Sequence, residues 1–241
     1  MPVSVKTGDV APASMGLDDC EALGSANTEA RDELTRELEK KQSTSGLNEE
    51  EQAVLDKARG TGMTFSSASS KVPNAVGSYT GCSSGMAREK VPDLVGEGGT
   101  SAQKMGLNKT IRSSDDHEHD DAKDAAGVLC DKSHVHPGGG AGAHAEPKIV
   151  NDLTNLVGAE NMRGGSMLFN IDWRSAKYGR SGMPCAHCFK MLCHAAKECD
   201  IRIFVCSHDN QPVELSKNDC GGDKAYADLS RRVDGGPVPG R

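Results

Sequence analysis

The sequence has few aromatic and few apolar residues for its length. Its 241 residues include only one Trp, three Tyr and four Phe, and the hydrophobic fraction is 36%. Because aromatic side chains supply much of the area that a core buries, one well-filled core over the whole length is not expected. The composition predicts one compact domain together with a loosely ordered region.

The sequence also lacks long apolar runs. No stretch approaches the roughly 20 apolar residues that a membrane-spanning helix needs. The first residues, MPVSVKTGDVAPASMG, lack the apolar segment of a secretory signal. These absences predict a protein without a membrane span and without a classical signal peptide, which acts in the cytoplasm.

Cysteine, in contrast, is plentiful and unevenly distributed. There are nine cysteines, an odd number, and six of them lie between residues 185 and 220. This clustering favours reduced cysteines around a metal site over a disulfide framework.

The first half of the chain divides into two parts. Residues 1–60 form a short helical N-terminal segment, with predicted helices over 27–42, capped by Asn27, and over 48–59, where Asn48 and Glu51 form a capping box. Residues 61–125 are rich in Gly, Ser and Asp and show no sustained period of 3.6 or 2, so they are predicted to be a linker or irregular structure.

The second half has the pattern of an α/β domain over residues 126–232, followed by a flexible tail over 233–241. The pattern predicts helices over 144–157 and 185–199, strands over 166–172, 201–207 and 212–216, a polar loop over 173–183, and a helix at DKAYADLSRRV. The turn HDNQ is too short for a crossover helix, so the last two strands should be antiparallel in a mixed sheet.

Two short motifs carry the chemistry of this region. HAEP contains His144 and Glu146, and PCAHC contains Cys185 and Cys188. Each motif lies at the start of a predicted helix, so His144, Cys185 and Cys188 can converge on one tetrahedral Zn²⁺ and leave its fourth position open. An open position is typical of a catalytic zinc site and not of a structural one.

In these motifs residues 144–216 resemble the zinc-dependent cytidine deaminase superfamily, and a deaminase at the C-terminal end resembles bacterial polymorphic toxins. The resemblance implies a three-layer α/β sandwich in which His144, Cys185 and Cys188 hold zinc. It implies that Glu146 transfers protons while cytosine is hydrolysed to uracil. It also implies a toxin delivered into a target cell by a specialised secretion system, with an immunity protein as partner.

The loop before the second motif suggests a nucleic-acid substrate. Trp173 and Tyr178 can stack on a single-stranded or flipped base, and Arg174 and Arg180 can hold phosphate. His187, beside the metal ligands, is a further candidate for the substrate pocket. The superfamily also has a β-hairpin ahead of the HAE helix, for which GVLCDKSHVHP offers the most obvious strand.

Two other functions stay open at this stage. The first is a free cytidine or deoxycytidine deaminase of nucleotide salvage. The second is a non-enzymatic zinc module that binds a partner, with its ligands drawn from Cys193, Cys199, His187, His194 and His208. The first of these two keeps the proposed metal ligands, whereas the second gives the HAE motif no role.

Overall fold

A computed structural model describes residues 19–83, 144–157, 159–176, 179–215 and 222–236 of the chain. These residues form an α/β structure with helices and a mixed, open sheet of six strands. The helices are α1 (Cys20–Thr44), α2 (Glu49–Arg59), α3 (Ala145–Val157), α4 (Ala186–Glu198) and α5 (Asp223–Val233), and a short 3₁₀ helix spans Ala159–Met162. The strands are β1 (Phe65–Ser70), β2 (Gly77–Cys82), β3 (Ser166–Ser175), β4 (Gly179–Ser181), β5 (Arg202–Cys206) and β6 (Pro212–Glu214).

The two N-terminal helices begin at side-chain caps. The predicted capping box of α2 is confirmed, since Asn48 and Glu51 each accept a hydrogen bond from the other's backbone N–H. The predicted cap of α1 is wrong: the helix begins seven residues earlier, where Asp19 accepts a hydrogen bond from the Ala22 N–H at 3.0 Å. Asn27 is instead buried and donates to Asn170 at 3.0 Å, so it joins α1 to the sheet.

The sheet has the strand order β2-β1-β3-β5-β6, and the short strand β4 pairs with β3. Strands β3 and β5 are parallel, with α4 as their crossover, and the other pairs are antiparallel. The predicted antiparallel pairing of the last two strands is therefore confirmed. The prediction of a loop over 173–183 is wrong in part, because β3 continues to Ser175 and turns back through β4.

Strands β1 and β2 correct the prediction of irregular structure over residues 61–125. Their sequences, FSSASS and GSYTGC, form an antiparallel hairpin that extends the sheet from β3. The turn contains Pro73 and Asn74, whose φ of 64° suits the third position of a tight turn, and the Ala75 N–H donates to the Val72 carbonyl at 3.0 Å. Residues 84–125 and the strand candidate GVLCDKSHVHP lie outside the described residues.

Hydrophobic clusters lie on both faces of the sheet. On one face, Met167, Phe169 and Ile171 of β3 pack in a large cluster with residues of α3, α4 and α5. On the other face, a second cluster joins α1 and α2 to Phe65 and Cys82. Leu168 of β3 packs on this second face with Cys20 and Leu23 of α1, so alternate residues of β3 face different helices, as the period of two in a strand requires.

A disulfide joins Cys20, at the start of α1, to Cys206, at the end of β5. Cys193 and Cys199 are also disulfide-bonded, whereas Cys82, Cys185 and Cys188 are thiols. The prediction of reduced cysteines is therefore wrong for these four bonded residues, all of which are buried. Among the described helices, none is long and apolar enough to cross a membrane.

Candidate metal centre

The three predicted metal ligands lie together at the N-termini of two helices. Nitrogen and sulphur atoms of His144, Cys185 and Cys188 lie within 4.8 Å of one another. His144 directly precedes α3, and Cys185 is the N-cap of α4, where its sulphur accepts a hydrogen bond from the Cys188 N–H at 3.4 Å. Both helices therefore direct the positive ends of their dipoles toward this group, which favours thiolate over thiol.

The donor set and its spacing fit a zinc ion. His144 Nδ1 lies 3.3 Å from Cys188 Sγ and 3.4 Å from Cys185 Sγ. Zinc bound about 2.3 Å from sulphur and about 2.0 Å from nitrogen would hold such atoms about 3.5 Å apart at a tetrahedral angle. Two thiolates and an imidazole also form a soft donor set of the kind that zinc prefers.

Glu146 lies in the first turn of α3 beside these ligands. Its side chain is 2% exposed, and its carboxylate interacts with the Cys188 thiol. A buried carboxylate next to a metal group, and separate from its ligands, is suited to proton transfer. The structure thus places Glu146 beside the candidate ligand Cys188.

The pKa values of the two cysteines are shifted in opposite directions. A hydrogen bond from Cys188, with a further contribution from His144, lowers the pKa of Cys185 to about 3. Burial raises the pKa of Cys188 well above its usual value, and Cys185 and Glu146 add to this increase. Without a cation the pair favours one thiolate and one thiol, whereas a divalent cation stabilises both as thiolates.

The predicted substrate residues lie on two faces of the sheet. Trp173 is partly buried against the cluster that contains α3 and α4, on the same face as the metal group. Arg174 of β3 and Arg180 of β4 lie opposite each other in the antiparallel register. Both form ion pairs with Asp172, Arg174 at 3.2 Å and Arg180 at 2.7 Å. His187 is exposed on α4, and Tyr178 lies outside the described residues. Trp173 therefore lies near α3 and α4, which carry the candidate metal ligands, whereas the two arginines contact Asp172.

Asp172 and Arg31 are buried partners that the sequence analysis missed. Arg31 is 3% exposed and forms an ion pair with Asp172 at 2.9 Å, and its two terminal nitrogens also donate to the carbonyl groups of Ala58 and Met63. No local sequence pattern joins residues 31 and 172. A charged residue at a buried position of α1 is the one signal that could have indicated a long-range partner.

A separate cleft of about 720 Å³ lies between α1, the middle of β3 and the end of β5. Its polar lining includes Glu21, Glu29, Asn170, Arg180 and His208, and it includes none of the three metal ligands. Mixed charges line this cleft, so its charge does not select a polyanion.

The alternative ligands for a structural zinc module lie elsewhere. Cys193 and Cys199 are disulfide-bonded, and His187 and His194 are exposed on α4. Within the described ranges, His144, Cys185 and Cys188 are the group that could hold a metal ion.

Comparison with known proteins gives no relative from which to assign a function. A scan of protein-family models found no match, and searches of curated proteins and of solved structures found no significant similarity.

Proposed function

We propose that this chain is a zinc-dependent deaminase that hydrolyses cytosine to uracil in nucleic acid. The observation that carries this proposal is the buried carboxylate of Glu146 beside a His/Cys/Cys group that can hold a metal through three protein atoms. Three ligands leave one position of a tetrahedral zinc for water, which a purely structural site does not need.

The fold supports the same proposal. The resemblance to cytidine deaminases requires a β-hairpin ahead of the HAE helix, and β1 and β2 supply it. The last two strands are antiparallel, and helices cover both faces of the sheet. These features agree with the layered sandwich of the superfamily.

Each of the four residues at this site would have one role in the reaction. His144, Cys185 and Cys188 hold the zinc, which when bound supplies the Lewis acidity that makes water a nucleophile at neutral pH. Glu146 takes a proton from this water and delivers it to the ring nitrogen of cytosine. A bond would form between the water oxygen and C4, and Glu146 would then move the remaining hydroxyl proton to the amino group, so that the bond from C4 to the amino nitrogen breaks, ammonia leaves and the oxygen becomes the C4 carbonyl of uracil.

The proposed biological role rests on the resemblance to a known class of toxins. The likeness to the C-terminal deaminases of bacterial polymorphic toxins supports a toxin that a specialised secretion system delivers into the cytoplasm of a target cell. Its partners would be the nucleic-acid substrate and an immunity protein made by the producing cell.

One observation favours a free cytidine or deoxycytidine deaminase instead. Arg174 and Arg180 are engaged by Asp172, and they lie on the sheet face opposite Trp173. An enzyme for free nucleosides has no phosphate backbone to hold, so it needs no cations beside its metal group.

The chemistry is tested with variants of the metal group. We expect His144→Ala to lose both zinc and deamination, because it removes a ligand. Glu146→Gln should keep its zinc but lose about 10²–10⁴-fold in deamination rate, because only proton transfer is removed. Metal content is measured by mass spectrometry, with Cys82→Ser, at a buried thiol outside the group, as the control. Deamination by Glu146→Gln at the wild-type rate would show that the assigned mechanism is wrong.

The substrate is tested in the same assay with cytidine, single-stranded DNA, duplex DNA and RNA at two salt concentrations. We expect turnover of a polynucleotide that weakens as salt is added. Trp173→Ala should lower this turnover about 10-fold through lost stacking. Arg180→Ala should weaken it, while Arg202→Ala, another exposed arginine paired with a carboxylate, should not. Efficient turnover of cytidine that salt leaves unchanged would instead support the salvage enzyme.

A further inference from the structure

Helix α5 is bonded to the segment that leads into the first cysteine ligand. Residues 181–184, here called the ligand loop, connect β4 to Cys185. Asp234, the C-cap of α5, accepts hydrogen bonds from the Ser181 hydroxyl at 2.6 Å and from the Gly182 N–H at 3.0 Å. Tyr226 donates from its hydroxyl to the Pro184 carbonyl at 2.8 Å. Three of the four loop residues are thus bonded to one helix.

Packing adds to these hydrogen bonds. The ring of Tyr226 meets the ring of Phe189 edge to face at 5.2 Å, and Phe189 directly follows the ligand Cys188. At Gly182, a Cβ atom would lie 3.1 Å from the Cys206 carbonyl and 3.2 Å from Val233, so the loop approaches α5 and the end of β5 closely. One helix therefore contacts the chain on both sides of the Cys-x-x-Cys pair.

We propose that α5 fixes the position of Cys185 in the metal group, with Tyr226 and Asp234 as positioning residues. This inference rests on the metal site of the proposed function. Cys185 is the last residue before α4, so its sulphur position depends on where the ligand loop delivers the backbone. Metal sites need their ligands held within about 0.5 Å, and groups that orient ligands typically contribute 10–100-fold to metal affinity.

The test uses two variants of α5 with matched controls. Tyr226→Phe removes one hydroxyl and keeps the ring, and its control is Tyr79→Phe, which loses a similar bond from a tyrosine hydroxyl to the Ala75 carbonyl, at 2.9 Å. Asp234→Ala removes both loop contacts, and its control is Asp228→Ala on the same helix, whose partner is Arg231. Asp234→Asn should partly restore the contacts, because it keeps one oxygen acceptor.

Two readouts separate positioning from general stability. The first is the rate at which the zinc-loaded chain releases zinc to a chelator, together with the d–d spectrum of the cobalt-loaded chain. The second is hydrogen exchange of the Gly182 and Met183 amides, which needs no metal. We expect Tyr226→Phe and Asp234→Ala to release zinc about 10-fold faster, with altered cobalt spectra and faster loop exchange, while both controls behave as wild type.

The outcomes also separate this inference from the proposed function. Zinc binding by wild type, with release and exchange unchanged in the α5 variants, would overturn the positioning role and leave the proposed function intact. If wild type binds no zinc, the proposed function fails, and loop exchange alone decides whether α5 holds the loop. Faster exchange in the α5 variants supports that role, and unchanged exchange overturns it.

Discussion

Asp172 is a fully buried carboxylate that faces three guanidinium groups. It forms ion pairs with Arg31, Arg174 and Arg180, of which only Arg31 is buried with it. Burial alone would raise the pKa of Asp172, but the charges of Arg31, Arg180 and Arg174 hold this pKa below its usual value. The carboxylate therefore stays ionised in the folded chain and joins α1, through Arg31, to β3 and β4.

Removal of this carboxylate should destabilise the fold strongly. We expect Asp172→Ala to lower the free energy of unfolding by about 3–5 kcal/mol, because it leaves Arg31 buried without its charge partner. Because the pKa is lower in the folded state, this stabilisation is complete above the unfolded pKa of about 3.9 and is lost as pH falls through the lower folded value. The loss in the free energy of unfolding is measured by urea unfolding at pH 7 and at lower pH. The control is Asp209→Ala, which removes an exposed carboxylate. A loss below 1 kcal/mol at pH 7 would contradict this account.

At the scale of elements, strand β2 and helix α3 approach each other closely at Gly81 and Ala145. A Cβ atom on Gly81 would lie 3.3 Å from the Ala145 carbonyl and 3.7 Å from its Cα. Ala145 lies between His144 and Glu146, so the distance between β2 and α3 sets the position of a candidate metal ligand and of the proposed proton carrier. Glycine at this position lets the hairpin support the start of α3.

A side chain at Gly81 should disturb the metal group through this contact. We expect Gly81→Val to displace the first turn of α3 and to weaken zinc retention about 10-fold, because the extra atoms meet backbone that cannot rotate away. Zinc release to a chelator measures the effect. Gly236→Val is the control, since nothing lies within 4 Å of a Cβ atom there. Equal zinc retention in both variants would show that this approach does not position the ligands.

The elements that the sequence predicts well are those with a local pattern. Helices α3, α4 and α5 and strands β3 and β5 appear near their predicted ranges because apolar residues recur along them at the helical period or in a continuous run. The HAE and PCAHC motifs are equally local, since each places its two candidate site residues within one helical turn. For this reason the members of the metal group could be predicted without the fold.

The hairpin was missed for a physical reason. All six residues of β1 are buried, yet most are serine, so no alternation of polar and apolar residues marks the strand. The buried hydroxyls are bonded instead: Ser67 donates to Asn27, and Ser66 donates to the Asn170 carbonyl. Such partners come from distant parts of the chain, as do the contacts of Asp172 and Tyr226, and they leave no local pattern. The Pro73-Asn74 turn was the one local signal available.

At the scale of the whole molecule, the bond between Cys20 and Cys206 joins the first described helix to the end of β5. These residues are 186 apart in sequence, and their side chains pack with Leu23 and Leu168 in a small buried cluster. The bond therefore ties α1 to the sheet at the end of β5. A cross-link over so long a loop limits the conformations of the unfolded chain.

Loss of this bond should lower stability without removing the metal group. We expect the double variant Cys20→Ser and Cys206→Ser to lose about 2–5 kcal/mol in the free energy of unfolding and to keep its zinc. Urea unfolding measures the loss against Cys82→Ser, which removes a thiol. Alkylation before and after reduction, read by mass spectrometry, should label Cys20 and Cys206 only after reduction. Labelling of either residue in the unfolded, unreduced chain would contradict the bond.

The same bond limits the width of opening through which this chain can pass. With Cys20 and Cys206 joined, the chain between them is a closed covalent ring, which remains a ring even when every helix and strand has melted. An opening that admits one extended strand cannot admit two strands side by side. A chain that crosses such an opening as a thread must therefore carry both cysteines as thiols, the form that a reducing cytoplasm maintains. Once the ring has closed, the molecule can cross only where the opening is wide enough for the doubled strand or for the folded body.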